Sequence, residues 1–194
     1  AERGFSTRFD GDLDMRMNQK SRVSAKEIVN EYSEERLAEI LFLYGELRNS
    51  RNIAKTIVEK RADEKIDTSF QLREVLRKYL PKAKEHKIIA QIFQAIRIEV
   101  NEELDVLREF LEQIPNLLKD DGRLSVISYH SLEDRLVKRF IRTGLFSGEP
   151  RKDVFGNTSE PLKKVGKLVV PTSQEIKINN RARSAKLRIA TLKK

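Results

Sequence analysis

The apolar positions of the first half of the chain recur every three or four residues, which is the spacing of amphipathic helices. Up to about residue 84 this pattern predicts a small helical unit, and capping signals precede its helices. The predicted caps are Ser24 with Glu27, Ser33, and Thr68 with Gln71. A further helix is predicted over 49–61. The stretch before these helices, Gly4 to Met17, has two glycines and scattered apolar residues, so we expect a loop there.

Between Lys87 and Ile114 the three-or-four spacing continues over many turns until Pro115, and it predicts one long helix. An Asp121-Gly122 turn then leads into RLSVIS at 123–128, a short run rich in branched residues that is typical of a buried parallel strand. Another helix follows at once. Its predicted cap is Ser131 with Asp134, and its predicted end is Gly144.

The remaining third of the chain predicts a loop and a pair of strands. The loop runs from Leu145 to Gly166, and the strands are Lys167 to Val170 and Ala185 to Leu192, joined by a short helix at Ser173 to Ile178. Helix, buried strand, helix and strand pair form the closing portion of an open α/β sheet of the doubly wound type. A buried strand needs a neighbour on each side, and this chain supplies RLSVIS with at most one. The pattern therefore predicts half of a sheet.

Composition narrows the class of protein. A chain of 194 residues fits one domain or at most two, and its 39% hydrophobic residues can form a sizeable core. No apolar stretch approaches the roughly 18 residues of a spanning helix, and no signal peptide is visible, so we expect a cytoplasmic protein. The absence of cysteine excludes disulfides and thiolate chemistry, and two histidines, His86 and His130, are too few for a histidine-rich metal site.

The net charge of +9 is concentrated at one end of the chain. From Pro161 onward there are ten basic residues and a single acid, Glu175, so the residues before Pro161 are neutral overall. A localised basic excess favours a polyanionic partner such as nucleic acid. The competing interpretation is a solvated tail that improves solubility.

The segment that follows RLSVIS is dense in polar groups, and ligands of open α/β sheets bind at the carboxyl ends of strands. His130 could relay a proton, Tyr129 could stack on a planar substrate, and Asp134 or Arg135 could orient one. The competing interpretation assigns Ser131 and Asp134 to helix capping, Arg135 to an ion pair with Glu133 or Asp134, and His130 to a half-buried position with one hydrogen bond. The sequence has no serine-histidine-carboxylate signature and no glycine-rich phosphate loop, so hydrolase and NTPase interpretations lack support.

Two further segments invite interpretation. NNRARSAKLR, at 179–188, combines cations, amides and a serine, a composition suited to phosphate contacts, although a charged sheet edge would look the same. Asp10, Asp12 and Asp14 invite a calcium interpretation. We disfavour it, because no bidentate glutamate follows at the spacing of a calcium loop.

Four long motifs in a fixed order carry a resemblance that covers essentially the whole chain. They are GFS followed by DGDLDMRM at 4–17, FQAIRIEVNEEL at 93–104, GRLSVISYHSLEDRLVKRF at 122–140, and NNRARSAKLRIA at 179–190. With these motifs the chain resembles the bacterial small-subunit ribosomal RNA cytidine-N4 methyltransferases of the H type, which use S-adenosylmethionine. The family usually has proline where Asp12 and Asn180 stand here, which bears on the rigidity of those two loops.

The resemblance implies a fold, α/β, in which a partial class I methyltransferase Rossmann-like sheet accompanies a helical insertion domain. Residues 1–84 would be the insertion with its preceding loop, and residues 85–194 the carboxyl-terminal part of the catalytic domain. The family's glycine-rich cofactor loop, ribose-binding acid and acidic catalytic motif would lie upstream of Ala1. The chain by itself is therefore expected to bind S-adenosylmethionine poorly and to be inactive.

The resemblance also implies methylation of a cytidine N4, and the expected partner is small-subunit ribosomal RNA or the small ribosomal subunit, with a homodimer left open. Position at the strand end, rather than the resemblance, makes His130 and Ser131 the candidates for orienting the substrate and Tyr129 the candidate for stacking. The expected contacts to the RNA backbone are Arg181, Arg183, Lys186 and Arg188. The alternatives are a non-catalytic basic module that binds RNA or DNA, and an interaction scaffold built on the 87–114 helix.

Overall fold

The computed structural model describes residues 2–150, 155 and 160–193. Part of the loop predicted between Leu145 and Gly166 lies outside the described residues. The chain forms two compact units, residues 1–103 and residues 104–194, each with its own hydrophobic core. Among the described residues, no helix combines the length and the apolar character that crossing a membrane requires.

The first unit is a helical bundle whose capping signals are confirmed. Its helices are α1 (Ala25–Glu31), α2 (Glu34–Leu43), α3 (Ser50–Asp63), α4 (Ser69–Val75), a 3₁₀ turn (Arg77–Tyr79) and α5 (Glu85–Asn101). Ser24 and Thr68 each close a reciprocal capping box, and Ser33 accepts a hydrogen bond from the backbone of the first turn of α2. Buried isoleucine and leucine side chains of α2, α3 and α5 pack together in the core.

The opening loop is an integral part of this first core. Leu13 and Met15 are each only 1% exposed, and the Leu13 N–H donates to the Asp67 carbonyl at 2.9 Å. Gly4 adopts φ +71°, and a Cβ atom built there would lie 2.4 Å from the Asp12 carbonyl oxygen. The loop therefore needs glycine at position 4, because the backbone there lies directly against the backbone of Asp12.

The prediction of one helix from Lys87 to Ile114 is wrong. α5 ends at Asn101, Glu102 takes a left-handed φ of +49°, and α6 (Glu103–Leu117) begins at the next residue and continues past Pro115. Local polar contacts stabilise the break, since the Asn101 amide donates to the Met15 carbonyl at 2.8 Å. The apolar spacing continues across the interruption, which is why periodicity did not reveal it.

The second unit is a three-stranded antiparallel sheet with helices. After α6 come β1 (Arg123–Ser128), α7 (Ser131–Thr143), β2 (Leu162–Val169), α8 (Ser173–Ile178), a 3₁₀ segment (Asn180–Ser184) and β3 (Lys186–Leu192). The strand order is β1-β3-β2. Leu124 and Ala190 of the sheet pack with Val137 and Phe140 of α7.

β1 differs from the prediction in one respect and agrees in another. Its pairing with β3 is antiparallel, so the predicted parallel arrangement is not the one that this chain supplies. Among the described residues β3 is its one hydrogen-bonded neighbour, which agrees with the expected half sheet. β2 begins five residues earlier than the predicted strand at Lys167.

The predicted boundary after residue 84, between a helical insertion domain and the catalytic domain, stays a prediction. Packing divides the chain later, after Glu103, because α5 contributes Ile89, Ile92 and Ile96 to the core of the first unit.

The Gly4 geometry predicts a stability loss that can be measured. Gly4→Ala should lower the free energy of unfolding by about 2 to 3 kcal/mol, since it adds a steric clash to the cost of a positive φ. Gly148→Ala is the matched control, because Gly148 has φ +69° with nothing within 4 Å of the added methyl. It should cost only about 1 kcal/mol. Urea titration of both variants provides the measurement, and equal losses would contradict the close approach.

Candidate functional site

The strand register brings three polar segments to one end of the sheet in the second unit. Ser128, the last residue of β1, lies opposite Lys186, the first residue of β3. The β1–α7 turn therefore leaves the sheet at the same end at which the 3₁₀ segment enters it. This end, formed by Tyr129, His130, the first turn of α7, the 3₁₀ segment and Lys186, is the candidate site.

His130 is the N-cap of α7, which corrects the prediction that Ser131 and Asp134 cap this helix. Its backbone is extended, and its Nδ1 accepts a hydrogen bond of 3.4 Å from the Glu133 N–H. Because Nδ1 acts as an acceptor, the neutral imidazole carries its proton on Nε2. Nε2 is buried and lies 3.3 Å from Glu133 Oε1, an ion-pair distance without hydrogen-bond alignment. The imidazole therefore has a structural role in the turn.

Glu133 completes this turn and was not among the predicted site residues. Its carboxylate accepts from the Tyr129 N–H at 2.8 Å and from the His130 N–H at 3.3 Å. Burial raises the pKa of the Glu133 carboxyl, but His130 and the Tyr129 N–H outweigh that effect, so the pKa lies below its usual value. Glutamate three residues after a cap is a known sequence signal, but histidine is not among the common caps.

Asp134 is a buried carboxylate held by two cations of β3. Arg188 donates to it from Nε at 2.7 Å and from a second guanidinium nitrogen at 3.1 Å, and Lys186 Nζ lies at 3.3 Å. Burial raises the pKa of the Asp134 carboxyl, but Arg188 and then Lys186 lower it by more, so the net shift is downward. This cluster ties the first turn of α7 to the start of β3.

The other predicted residues of the turn differ in their exposure. Tyr129 is 57% exposed, which leaves its ring accessible for stacking. Ser131 is half-buried and Arg135 is exposed, and each already interacts with another group of the protein. Among the described residues the ion-pair partners of Asp134 are Arg188 and Lys186, so the alternative that paired Asp134 with Arg135 is not the arrangement found.

The 3₁₀ segment presents two cations to solvent. The Asn179 side chain accepts from the Arg181 N–H at 3.1 Å, and Ala182 is buried, so the segment is anchored between its arginines. Arg181 and Arg183 are exposed, and neither forms an ion pair with any residue that the structure describes. Arg188 differs, since its side chain is 13% exposed and is committed to Asp134. The predicted basic contacts thus separate into free and paired groups.

Two of the three aspartates of the opening loop, in the first unit, bind protein groups through their carboxylates. Asp10 accepts from the Phe70 N–H at 3.0 Å and from the Ser69 hydroxyl at 3.1 Å, and the Phe70 contact in particular lowers the pKa of Asp10. Asp14 pairs with Arg16 at 2.6 Å. Their carboxylate oxygens are used to fold the loop.

Helices packed on a small antiparallel sheet make the second unit an α/β structure, an arrangement consistent with part of a methyltransferase-like fold. A comparison with protein-family models identifies the family to which the chain belongs. The model of the MraW methylase family matches residues 1–193, and the chain belongs to that family. The MraW methylase family has the class I methyltransferase fold, so the fold class expected from the resemblance is confirmed.

Individual relatives agree with this membership. The protein of Flavobacterium johnsoniae named ribosomal RNA small subunit methyltransferase H is 63% identical over 97% of this chain, which covers 63% of that relative. A relative of the same name from Christiangramia forsetii is 60% identical over 98% of this chain and 63% of its own length. A third, from Bacteroides fragilis, is 50% identical over 100% of this chain and 64% of its own length. The chain thus spans somewhat less than two thirds of these relatives.

The Asp134 cluster predicts a pH-dependent contribution to stability. With its pKa below the ordinary 3.8, Asp134 stabilises the fold above that value, and the stabilisation is lost as the pH falls through the lower folded-state pKa. Asp134→Asn should cost roughly 3 kcal/mol at neutral pH, because it leaves Arg188 buried without a counter-charge. It should also flatten the acid limb of the stability curve, measured by urea unfolding at a series of pH values.

Asp105→Asn is the control for this prediction, since Asp105 also pairs with an arginine, Arg108, but is 59% exposed. An exposed pair of this kind contributes at most about 1 kcal/mol. If the free energy of unfolding falls with decreasing pH in the same way for both variants, Asp134 does not cause the predicted pH dependence.

Proposed function

We propose that this chain is part of an enzyme that transfers a methyl group from S-adenosylmethionine to the exocyclic N4 of a cytidine in small-subunit ribosomal RNA. One observation carries the proposal: identity of 63% over 97% of the chain to a protein named ribosomal RNA small subunit methyltransferase H. Its site of action would be the cytoplasm, where ribosomal RNA is found.

The sheet supports a role as the closing part of a catalytic domain. β1 has one paired edge within the described residues, and the face of the sheet away from α7 carries apolar side chains, with Ile127 56% exposed. Leu187 and Ile189 lie opposite Ile127 and Ser125 in register on this face. Such a sheet is completed by further strands and covered by further helices in a doubly wound fold. Residues 85–194 are accordingly our proposal for the carboxyl-terminal part of that domain, and residues 1–84 for its helical insertion.

The residues present here do not by themselves fit S-adenosylmethionine. The sequence has no glycine-rich loop following a strand. A cavity of about 800 Å³ in the second unit is lined mainly by lysine and arginine among its charged groups, and these would repel a sulfonium and an ammonium group. The cofactor-binding residues are therefore assigned upstream of Ala1.

The Ser128–Lys186 end of the sheet suits a flipped base. The lone pair of the cytidine N4 amine is delocalised into the ring, so the amine must be oriented and its N–H groups must find acceptors. The base must also leave its stack, which an accessible aromatic ring supports. We assign stacking to Tyr129 and orientation of the base to Ser131 and to the turn that His130 caps. His130 acts here as a positioning residue, because its Nδ1 is already used by the helix.

The RNA backbone is assigned first to Arg181 and Arg183. Their guanidinium groups are exposed and unpaired among the described residues, so they can neutralise phosphates without breaking a protein contact. Lys186 is 39% exposed and is shared with Asp134, and Arg188 would have to give up a buried ion pair. The two β3 cations therefore contribute less to RNA affinity than the sequence indicated.

A non-catalytic basic module is the alternative to an enzyme. A self-sufficient binding module should cover its own sheet. Within the described residues, however, β1 is paired on one edge alone and Ile127 is exposed on the sheet face, which does not fit a complete core. The alternative is therefore the weaker of the two.

Methyl transfer can be tested directly with radiolabelled S-adenosylmethionine and unmodified small-subunit ribosomal RNA. The full-length protein should label the RNA, and nuclease digestion should yield N4-methylcytidine. Calorimetry should show that this 194-residue chain alone binds S-adenosylmethionine at least about a hundredfold more weakly than the full-length protein does, because the chain lacks most of the proposed cofactor contacts. Label on another nucleoside would refute the reaction, and tight binding by the short chain would refute the division of roles.

The free arginines predict a change in RNA affinity and in its dependence on salt. Replacing Arg181 and Arg183 by glutamine should weaken binding of unmodified small-subunit RNA and reduce the slope of log K against log salt by about one to two units. Fluorescence anisotropy over a salt series provides the measurement. The matched control replaces Arg48 and Arg51, two exposed arginines of the first unit. An equal effect in the control would point to overall charge rather than to this segment.

A further inference from the structure

A basic cleft in the second unit contains cations that have not been assigned to the substrate so far, and it shares only Arg188 with the contacts discussed above. It runs along β2, has a volume of about 800 Å³, and is also lined by residues of β3 between Arg188 and Leu192, whereas no residue of the 3₁₀ segment at 180–184 lines it. Arg188 lines it as well but is paired with Asp134. The cleft's other basic side chains, called here the lysine cleft, are Lys138, Arg142, Lys163, Lys164, Lys167 and Lys193. Apolar side chains, including Ile141 and Leu168, also line it.

Most of these cations have no counter-charge within the part of the chain that the structure describes. Lys193 pairs with Glu160 at 2.7 Å. The other five are exposed, and the described ranges 2–150, 155 and 160–193 provide no ion pair for them. Asp120 and Asp121 also line the cleft, but the positive charges outnumber the acids. The cleft therefore has a positive field suited to an anion.

The simplest competing explanation is protection of a sheet edge. β2 is an outer strand, and lysines on an outer strand discourage pairing with other chains. This explanation accounts for Lys163, Lys164 and Lys167. It does not account for Lys138 and Arg142, which come from α7 and line the same cleft.

The two α7 cations have an energetic cost that an anionic ligand would relieve. Lys138 and Arg142 are four residues apart on one helix, where like charges repel each other, and both also experience the field of the β2 lysines. A polyanion that lies between α7 and β2 would neutralise both groups together. The mixture of cations and apolar side chains suits ribose-phosphate backbone, which alternates charged and weakly polar surfaces.

We propose that the lysine cleft binds the phosphate backbone of small-subunit ribosomal RNA at nucleotides other than the one methylated. This inference rests on the proposed function for the identity of the RNA. It adds a second contact surface, formed by β2 and α7, to the contacts assigned to the 3₁₀ segment. Contacts of this kind provide affinity and register without reading bases.

The test compares three variants of the full-length protein for binding unmodified small-subunit ribosomal RNA. The first replaces Lys163, Lys164 and Lys167 by glutamine. It should bind roughly tenfold more weakly near physiological salt and lower the salt slope by about two to three units. In the methyl-transfer assay its KM for RNA should rise while kcat stays near the wild-type value, because these residues do not contact the reacting base.

The second variant replaces Lys138 and Arg142 by glutamine, and it separates the cleft from edge protection. It should also weaken RNA binding, by several-fold, while its melting temperature stays equal to or above that of the wild type. The matched control replaces Lys55, Lys60 and Lys65, lysines of the first unit that are all exposed. It removes the same charge as the first variant and should bind more tightly than that variant.

Each outcome has a defined meaning. Binding by the α7 variant at the wild-type level would overturn the cleft and leave only edge protection for the β2 lysines. Equal losses in the triple variant and the control would overturn it as well, because only net charge would then matter. If the wild type methylates RNA while the cleft variants behave normally, the inference fails and the proposed function stands. If the wild type neither binds nor methylates the RNA, both fail.

Discussion

A buried ion cluster fixes the geometry on which the candidate site depends. Asp134 is 6% exposed and accepts two hydrogen bonds from Arg188 and a longer contact from Lys186, so its charge is compensated within the protein. Burying a carboxylate is unfavourable unless it is paired in this way. The pairing joins the first turn of α7 to the start of β3 and, through the Ser128–Lys186 register, to the end of β1. The position of the Tyr129–His130 turn follows from that arrangement.

The same cluster changes how the basic end of the chain should be interpreted. Sequence shows ten cations after Pro161 that look equivalent. In the fold they belong to different environments: Arg188 neutralises a buried acid, Arg181 and Arg183 flank a buried alanine and face solvent, and lysines of β2 line a cleft with α7. Phosphate binding adds affinity mainly where no protein pair has to be broken. The charge available to RNA is therefore smaller and more localised than the net charge indicates.

The sequence predicted local features well and non-local ones poorly. Caps at Ser24, Ser33 and Thr68 were predictable because their signals lie within one turn of the helix that they begin. The break at Glu102 was not, since it depends on Asn101 contacting the opening loop some 86 residues away in sequence. The pairing of Asp134 with Arg188 was missed for the same reason. Histidine as a cap escaped prediction because its ring nitrogen seldom serves that purpose.

The two outer strands of the sheet differ in their side chains and in the regularity of their pairing with β3. β2 has three lysines and a register irregularity between Val165 and Val169, with Gly166 at φ +67°, and these features are typical of an edge that faces solvent. β1 has neither: apart from Arg123 at its start it carries small or apolar side chains, and its register with β3 is regular.

A regular, uncharged edge left open to water would be a site of aggregation. We therefore infer that the β1 edge is continued by strands outside this chain and that the β2 edge is the true margin of the sheet. This asymmetry supports, independently of sequence identity, the proposal that the sheet of the second unit continues beyond β1 and not beyond β2.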